Sequence, residues 1–229
     1  MTNRPVALVT GATRGIGRAI AVELSSTHRI LVGGRDAARA GELVAELDDA
    51  APFVCDLADE DAVAAACIGI GRLDVLVHSA GIGRSNDIGL ASRALWREVF
   101  ETNVFAVADL TRLLLPALEA ARGIVVAINS GAGFFSSPGG GVYAGSKFAL
   151  RALTDALREE MRGKVRVCSI HPGRTDTDMQ RELQAAMGNE HYNGSCYVSP
   201  GSVAAAVRLA VDTPDNATVE QLSIRPSVF

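Results

Sequence analysis

The chain has 229 residues, 48% of them hydrophobic and 21% charged, with a formal net charge of −4. At roughly 150 residues per domain that length suits one α/β unit, and the apolar content excludes an intrinsically disordered chain. The acidic balance argues against nucleic acid or an anionic membrane as the main partner, and no apolar run approaches the roughly 18 residues of a membrane span. The first apolar run, from Val6 to Thr10, is too short for a secretory leader and leads into a glycine-rich loop. The four cysteines, Cys55, Cys67, Cys168 and Cys196, form no CxxC pair. Free thiols in a reducing, cytoplasmic compartment are therefore expected.

In chain order, β-rich runs at 6–9, 29–32, 52–55, 73–77, 124–128, 165–170 and 219–224 read as seven strands. Most are continuously apolar, the pattern of parallel strands covered on both faces. Helical stretches at 15–25, 37–48, 59–68 and 142–161 lie between them. This alternation predicts right-handed βαβ crossovers and an α/β, three-layer, doubly wound fold on a seven-stranded parallel sheet. Residues 92–121 read as the longest helix. Trp96, Phe100, Val104, Val107, Leu110 and Leu114 form an apolar stripe on it, facing the core or a partner subunit. Residues 1–229 are expected to form one domain. The irregular stretch 174–199 is expected to be a substrate loop or lid.

The first strand runs into Thr10-Gly11-Ala12-Thr13-Arg14-Gly15-Ile16-Gly17, and a helix follows. This context suits a dinucleotide pyrophosphate: Gly11 for the turn, Gly15 for close backbone approach, Gly17 for helix–strand packing. The helix N-terminus then offers free N–H groups to the anion.

Further motifs follow in order: Asp56-Leu57, the turn Ser79-Ala80-Gly81, Asn103, Ser130, Tyr143 with Lys147, and Pro172-Gly173. With the GxxxGxG spacing they resemble the short-chain dehydrogenase/reductase family over nearly the whole chain. Tyr143 and Lys147 lie one helical turn apart, and only 2 lysines accompany 20 arginines. Chance places about 0.03 such pairs in a chain with so few Tyr and Lys, so the spacing is informative.

The resemblance implies a Rossmann fold and an NADP-preferring oxidoreductase with a YxxxK active site. It assigns cofactor contacts to Gly11, Thr13, Arg14, Gly15, Ile16, Gly17, Arg35, Asp56, Leu57, Ala80, Gly81, Asn103, Tyr143, Lys147, Pro172, Gly173, Thr175 and Thr177. An NAD enzyme places a carboxylate at the end of its second strand. Here Gly34 falls about there and Arg35 follows. Arg35 and Arg14 offer guanidinium partners to a 2′-phosphate, so NADP(H) is expected over NAD(H). Asp36 either weakens that preference or caps the next helix.

The catalytic set implied is Ser130, Tyr143, Lys147 and Asn103. Tyr143 is the expected general acid, its phenol lowered by the Lys147 ammonium. Ser130 holds the substrate oxygen, and Asn103 holds a proton-relay water. Three positions depart from the family pattern: Gly145 for Ala, Asn129 for Ser, and His78-Ser79 for an Asn pair. His78 as a second base is the less favoured role for it. The histidines lack metal-ligand spacing, so no metal is expected.

The function expected is an NADPH-dependent carbonyl reductase, or secondary alcohol dehydrogenase in reverse, acting on a small apolar ketone, aldehyde or alcohol. Met179, Leu183, Met187, Tyr192, Cys196 and Tyr197 are expected to line its lid. One alternative is a non-catalytic NADP(H)-binding sensor, which has no need of the Ser130, Tyr143 and Lys147 set. Another is a sugar-nucleotide epimerase or dehydratase, for which little chain follows Pro172. The Gly-rich tail of many tetrameric relatives is missing after Ile224. A homodimer through 92–121 and 142–161 is therefore expected first, a tetramer second.

Overall fold

The computed structural model describes residues 4–186, 188–189 and 191–227. Seven strands, β1 (Val6–Val9), β2 (Arg29–Gly34), β3 (Ala50–Val54), β4 (Val75–His78), β5 (Ile124–Ile128), β6 (Arg166–Pro172) and β7 (Gln221–Ile224), form one sheet. Its order is β3-β2-β1-β4-β5-β6-β7, and every pairing is parallel. The apolar runs of β1, β4 and β5 produce this: they are buried on both faces, so no polar alternation is required.

The helices are α1 (Gly15–Ser25), α2 (Ala37–Glu46), α3 (Glu60–Cys67), α4 (Arg93–Phe100), α5 (Ala106–Ala121), α6 (Gly141–Glu160), α7 (Asp178–Ala186) and α8 (Pro200–Asp212). On one face α1, α2 and α8 bring Ile20, Leu24, Leu43, Val203 and Val207 against the sheet. On the other, α3, α5 and α6 bring Val63, Leu110, Leu114 and Leu157. Each fully buried Leu or Ile contributes about 2 kcal/mol of transfer free energy. Side chains of Asp36, Asp59, Ser92 and Ser199 accept backbone N–H bonds at the starts of α2, α3, α4 and α8. The cap at Asp36 is the second of the two roles open to it in the sequence.

Two expectations are corrected. Strand ends shift by a few residues: β3 begins at Ala50, β6 runs on to Pro172, and β7 begins at Gln221. The single helix over 92–121 is three pieces, because a π turn, Glu101–Phe105, separates α4 from α5. The apolar stripe divides with it. Val107, Leu110 and Leu114 enter the core, while Trp96 and Phe100 remain half-buried with ring centroids 5.8 Å apart. A Cβ on Gly145 would sit 3.4 Å from Trp96, in ordinary van der Waals contact, so the alanine of the family would also fit at this position.

Strand order reverses at β1, with β2 and β3 on one side and β4 to β7 on the other. A crevice opens outside the strand C-termini at such a switch point, and ligands bind there in doubly wound sheets.

Candidate active site

The crevice is held open by backbone geometry. The Thr10 hydroxyl accepts from the N–H groups of Ser79 (3.0 Å) and Ala80 (3.1 Å), tying the end of β1 to the turn after β4. Gly11 has φ +64, and a Cβ there would lie 2.9 Å from the Ala80 backbone. A Cβ on Gly17 would run into the Gly11 carbonyl. No side chain caps α1, and Arg14 occupies its N-cap position. Its first N–H groups are therefore available to an anion, with the positive end of the helix dipole behind them.

A cleft of about 280 Å³ follows from this arrangement. Thr10, Gly11, Thr13, Arg14, Gly15, Ile16 and Gly17 line its floor, with Ala80 and Gly81 from the turn after β4. Arg35, Asp56 and Leu57 line the end toward β2 and β3. Asp56 also accepts from the Ala58 N–H, shaping the turn that carries Leu57. Thr13 fills the space beside Gly34: a Cβ at 34 would lie 2.8 Å from Thr13 Cγ2. An acidic side chain at 34 therefore requires Thr13 to move. Arg14 and Arg35 are both exposed, with Arg14 Nη1 4.0 Å from Glu182 on α7. These backbone and cationic groups fit an adenine dinucleotide.

Behind Gly81 lies the second half of the site. A Cβ on Gly81 would be 3.2 Å from Asn103 Oδ1 and 3.9 Å from Lys147 Nζ. Asn103, buried in the π turn, accepts from the Ile82 N–H (2.9 Å) and donates to the Ile82 carbonyl (3.0 Å) and the Ser146 hydroxyl (3.0 Å). The Ser146 hydroxyl donates in turn to the Tyr143 carbonyl. Lys147 Nζ donates to the Ile128 carbonyl at 3.0 Å. Burial pushes the Lys147 ammonium down to about 8, which leaves it mostly cationic at pH 7.

Tyr143 differs from expectation. Burial raises its phenol, and a hydrogen bond with Ser130 opposes the rise. Lys147 Nζ lies 5.8 Å from the ring centroid, and desolvation outweighs any help from it. The phenol is protonated at neutral pH, the state a proton donor needs.

His78 has a structural place. It is buried, and its Nε2 meets Thr111 Oγ1 at 2.8 Å. Thr111 donates to the Val107 carbonyl, so His78 Nε2 carries the proton and ties β4 to α5. Burial lowers its pKa to about 4. Among the described residues, no group of three His, Cys, Asp or Glu is placed to hold a metal.

The 174–199 stretch closes on the cleft less broadly than expected. Thr177, Asp178 and Met179 border it. Met179 Sδ would lie 3.3 Å from a Cβ on Gly83 across the opening. Leu183, Tyr192, Cys196 and Tyr197 do not line this cofactor cleft. Tyr192 instead stacks on Tyr197 at 4.8 Å and donates to Asp176 Oδ1, which also accepts from Arg181. The aromatic pair braces the segment itself. Met187 lies outside the described residues. Pro172, Gly173 and Thr175 do not line this cleft; the Thr175 hydroxyl donates to the Gly173 carbonyl just before Thr177, which does. Gly33, Ser79, Ile82, Thr102 and Asp178 line it without a role assigned from sequence. Several of them act through backbone, which leaves no side-chain signature.

The parallel sheet, its glycine-looped crevice and the Tyr–Lys pair behind it define a dinucleotide-type oxidoreductase. The chain belongs to the short chain dehydrogenase family, whose model matches residues 5–188. A serine 3-dehydrogenase of Agrobacterium fabrum is 33% identical over 96% of this chain and 92% of its own. A 3-oxoacyl-(acyl-carrier-protein) reductase of Pseudomonas aeruginosa is 35% identical over 79% of this chain and 78% of its own. Among solved structures, an alcohol dehydrogenase from the archaeon Thermococcus sibiricus, complexed with 5-hydroxy-NADP, superposes with a TM-score of 0.89 at 27% identity. That match covers 99% of this chain and 98% of the other. No described helix is long and apolar enough to cross a membrane.

Proposed function

We propose that the protein is an NADPH-dependent carbonyl reductase, working as a secondary alcohol dehydrogenase in reverse. The observation that carries this reading is that Asn103 and Lys147 lie beside Gly81 of the cleft, with Tyr143 next to Lys147 and hydrogen-bonded to Ser130. A nicotinamide dinucleotide held by the glycine loop and Arg14 would supply the hydride for the carbonyl carbon, or accept it in the reverse direction. Tyr143 gives its proton to the carbonyl oxygen, and the Ser130 hydroxyl holds that oxygen as charge develops. Lys147 keeps a positive charge near the phenol and the nicotinamide ribose. Asn103 fixes the Ile82 backbone and the helix face that carries Tyr143.

NADP(H) is favoured over NAD(H) by Arg14 and Arg35 at the cleft and by Thr13 crowding position 34. The Thermococcus enzyme's NADP derivative supports the same reading. The substrate is a small carbonyl or alcohol. The relatives' serine and 3-oxoacyl substrates place L-serine with NADP⁺, and an acetoacetyl thioester with NADPH, in the first panel beside ketones, quinones and keto-esters. Residues 1–229 act as one domain, with 174–199 as its lid. A homodimer forms through α4, the π turn, α5 and α6, where Phe105 and Phe148 are exposed. All four cysteines are free, which suits a cytoplasmic enzyme. The test is stoichiometry: NADPH should be consumed mole for mole with alcohol formed. Product formation with the cofactor regenerated would overturn the reading in favour of an epimerase or dehydratase.

A further inference from the structure

Ser130 sits where the sheet stops. It follows β5, and its hydroxyl accepts from the Ala132 N–H (3.1 Å) as it caps the short turn Gly131–Gly133. A loop serine of this kind has no strand partner to fix it. Two side chains supply what the sheet does not. Asn129 Oδ1 accepts from the Ser130 N–H at 2.9 Å. His171 Nδ1, at the end of neighbouring β6, bonds to the Ser130 carbonyl at 3.1 Å. A carbonyl only accepts, so Nδ1 carries the proton and Nε2 is a bare lone pair. The Gly133 N–H reaches the same carbonyl from within the turn.

Both side chains are themselves immobile. His171 is fully buried, packs its ring 4.3 Å from that of Phe134, and has its own carbonyl held by Arg225 Nη1 at 2.6 Å. Asn129 extends the β5–β6 ladder through its N–H to the Ile170 carbonyl. Its amide fits because Gly133 has no side chain: a Cβ there would lie 2.9 Å from Asn129 Oδ1. Each residue also carries a cost. Asn129 Nδ2 and His171 Nε2 are buried with no protein partner. Unpaired buried polar atoms are unfavourable, and apolar side chains of similar size would fill the same space without that penalty. The use of these residues lies in the bonds they do make, and both bonds end on Ser130.

We infer that His171 is a positioning residue which, with Asn129, clamps the Ser130 main chain so that its hydroxyl meets the Tyr143 phenol and the substrate oxygen together. The inference rests on the reading of Ser130 given under Proposed function. With N–H and C=O both held, rotation of the hydroxymethyl group is the freedom left to Ser130. Misplacing a reacting group by about 1 Å costs on the order of 10²-fold in rate.

The test compares His171→Leu, which removes the donor, with His171→Asn, whose amide N–H falls near the place of Nδ1–H. The readouts are kcat on the panel carbonyl that the unmodified enzyme reduces fastest, and Kd for NADPH. The clamp predicts that His171→Leu lowers kcat by roughly 10- to 100-fold with Kd unchanged within about twofold, and that His171→Asn keeps kcat within about threefold. Equal losses in both variants, or no loss in either, would overturn it. Should His171→Leu fail to bind NADPH as a folded protein, Asn129→Ala decides: a similar kcat loss supports the clamp and an unchanged kcat overturns it. Tyr143→Phe separates the two levels. Without Tyr143-dependent turnover on the panel, the reading of the site fails and the clamp falls with it. With such turnover and indifferent His171 and Asn129 variants, the clamp alone fails.

Discussion

In the proposed reaction Tyr143 and Lys147 divide one task. A neutral phenol is a competent acid but a poor base, and Lys147 provides charge that makes the proton transfer reversible. Burial lowers Lys147 to about 8, far below an exposed lysine. Its charge is therefore present below that value and lost as pH rises through it. We predict that kcat/KM for carbonyl reduction falls above about pH 8. In Lys147→Arg, whatever activity survives should lose that limb, because guanidinium stays charged. A limb at the same pH in the arginine variant would assign it to another group. The pair was legible because lysine is so scarce in this chain. The direction of the Tyr143 shift was not, since desolvation depends on the helices that cover it. His171 was hidden for a similar reason: nothing in the sequence shows which ring nitrogen meets the Ser130 carbonyl.

At the scale of elements, the proposed NADP(H) preference makes the loop between β1 and α1 and the end of β2 one reader of the cofactor. The loop supplies N–H groups and Arg14, and the strand end supplies Arg35 while Thr13 crowds position 34. Charge-assisted hydrogen bonds contribute about 1.5–3 kcal/mol each, or roughly 10- to 100-fold in affinity. Replacing Arg14 and Arg35 together with alanine should weaken NADPH at least tenfold more than NADH in a fluorescence titration. Equal weakening would show that neither arginine reads the 2′-phosphate. Glycine spacing made this element legible at once. The π turn was only half legible: Asn103 marked the place, but the split into α4 and α5 depends on its bonds to Ile82 and Ser146, distant in sequence.

Across the whole molecule, strand order follows from apolar runs separated by helices, and the parallel sheet was readable for that reason. Strand ends were not, because pairing with neighbours decides them, as where β6 extends to Pro172 opposite Ile224. Three buried histidines tie stability to pH. Burial lowers His78 to about 4, and His28 and His171 shift the same way. The unfolded chain takes up these protons near pH 6.5 while the folded one resists, so stability must fall as pH drops from 6.5 toward 4. His78 alone should account for about 2 kcal/mol of that loss by pH 5. In His78→Leu the difference in urea unfolding free energy between pH 7 and pH 5 should shrink by about that amount. An unchanged difference would mean that His78 is charged in the folded state.

The proposed chemistry converges on one hydroxyl. Loss of NADPH absorbance should be followed across the carbonyl panel for the unmodified enzyme and for Tyr143→Phe, with NADPH binding measured alongside. The account predicts turnover in the first. In the second it predicts a loss of at least about 10²-fold, the contribution of a positioned general acid, with NADPH binding retained. Substantial turnover by the phenylalanine variant would contradict the central claim that Tyr143 carries the proton.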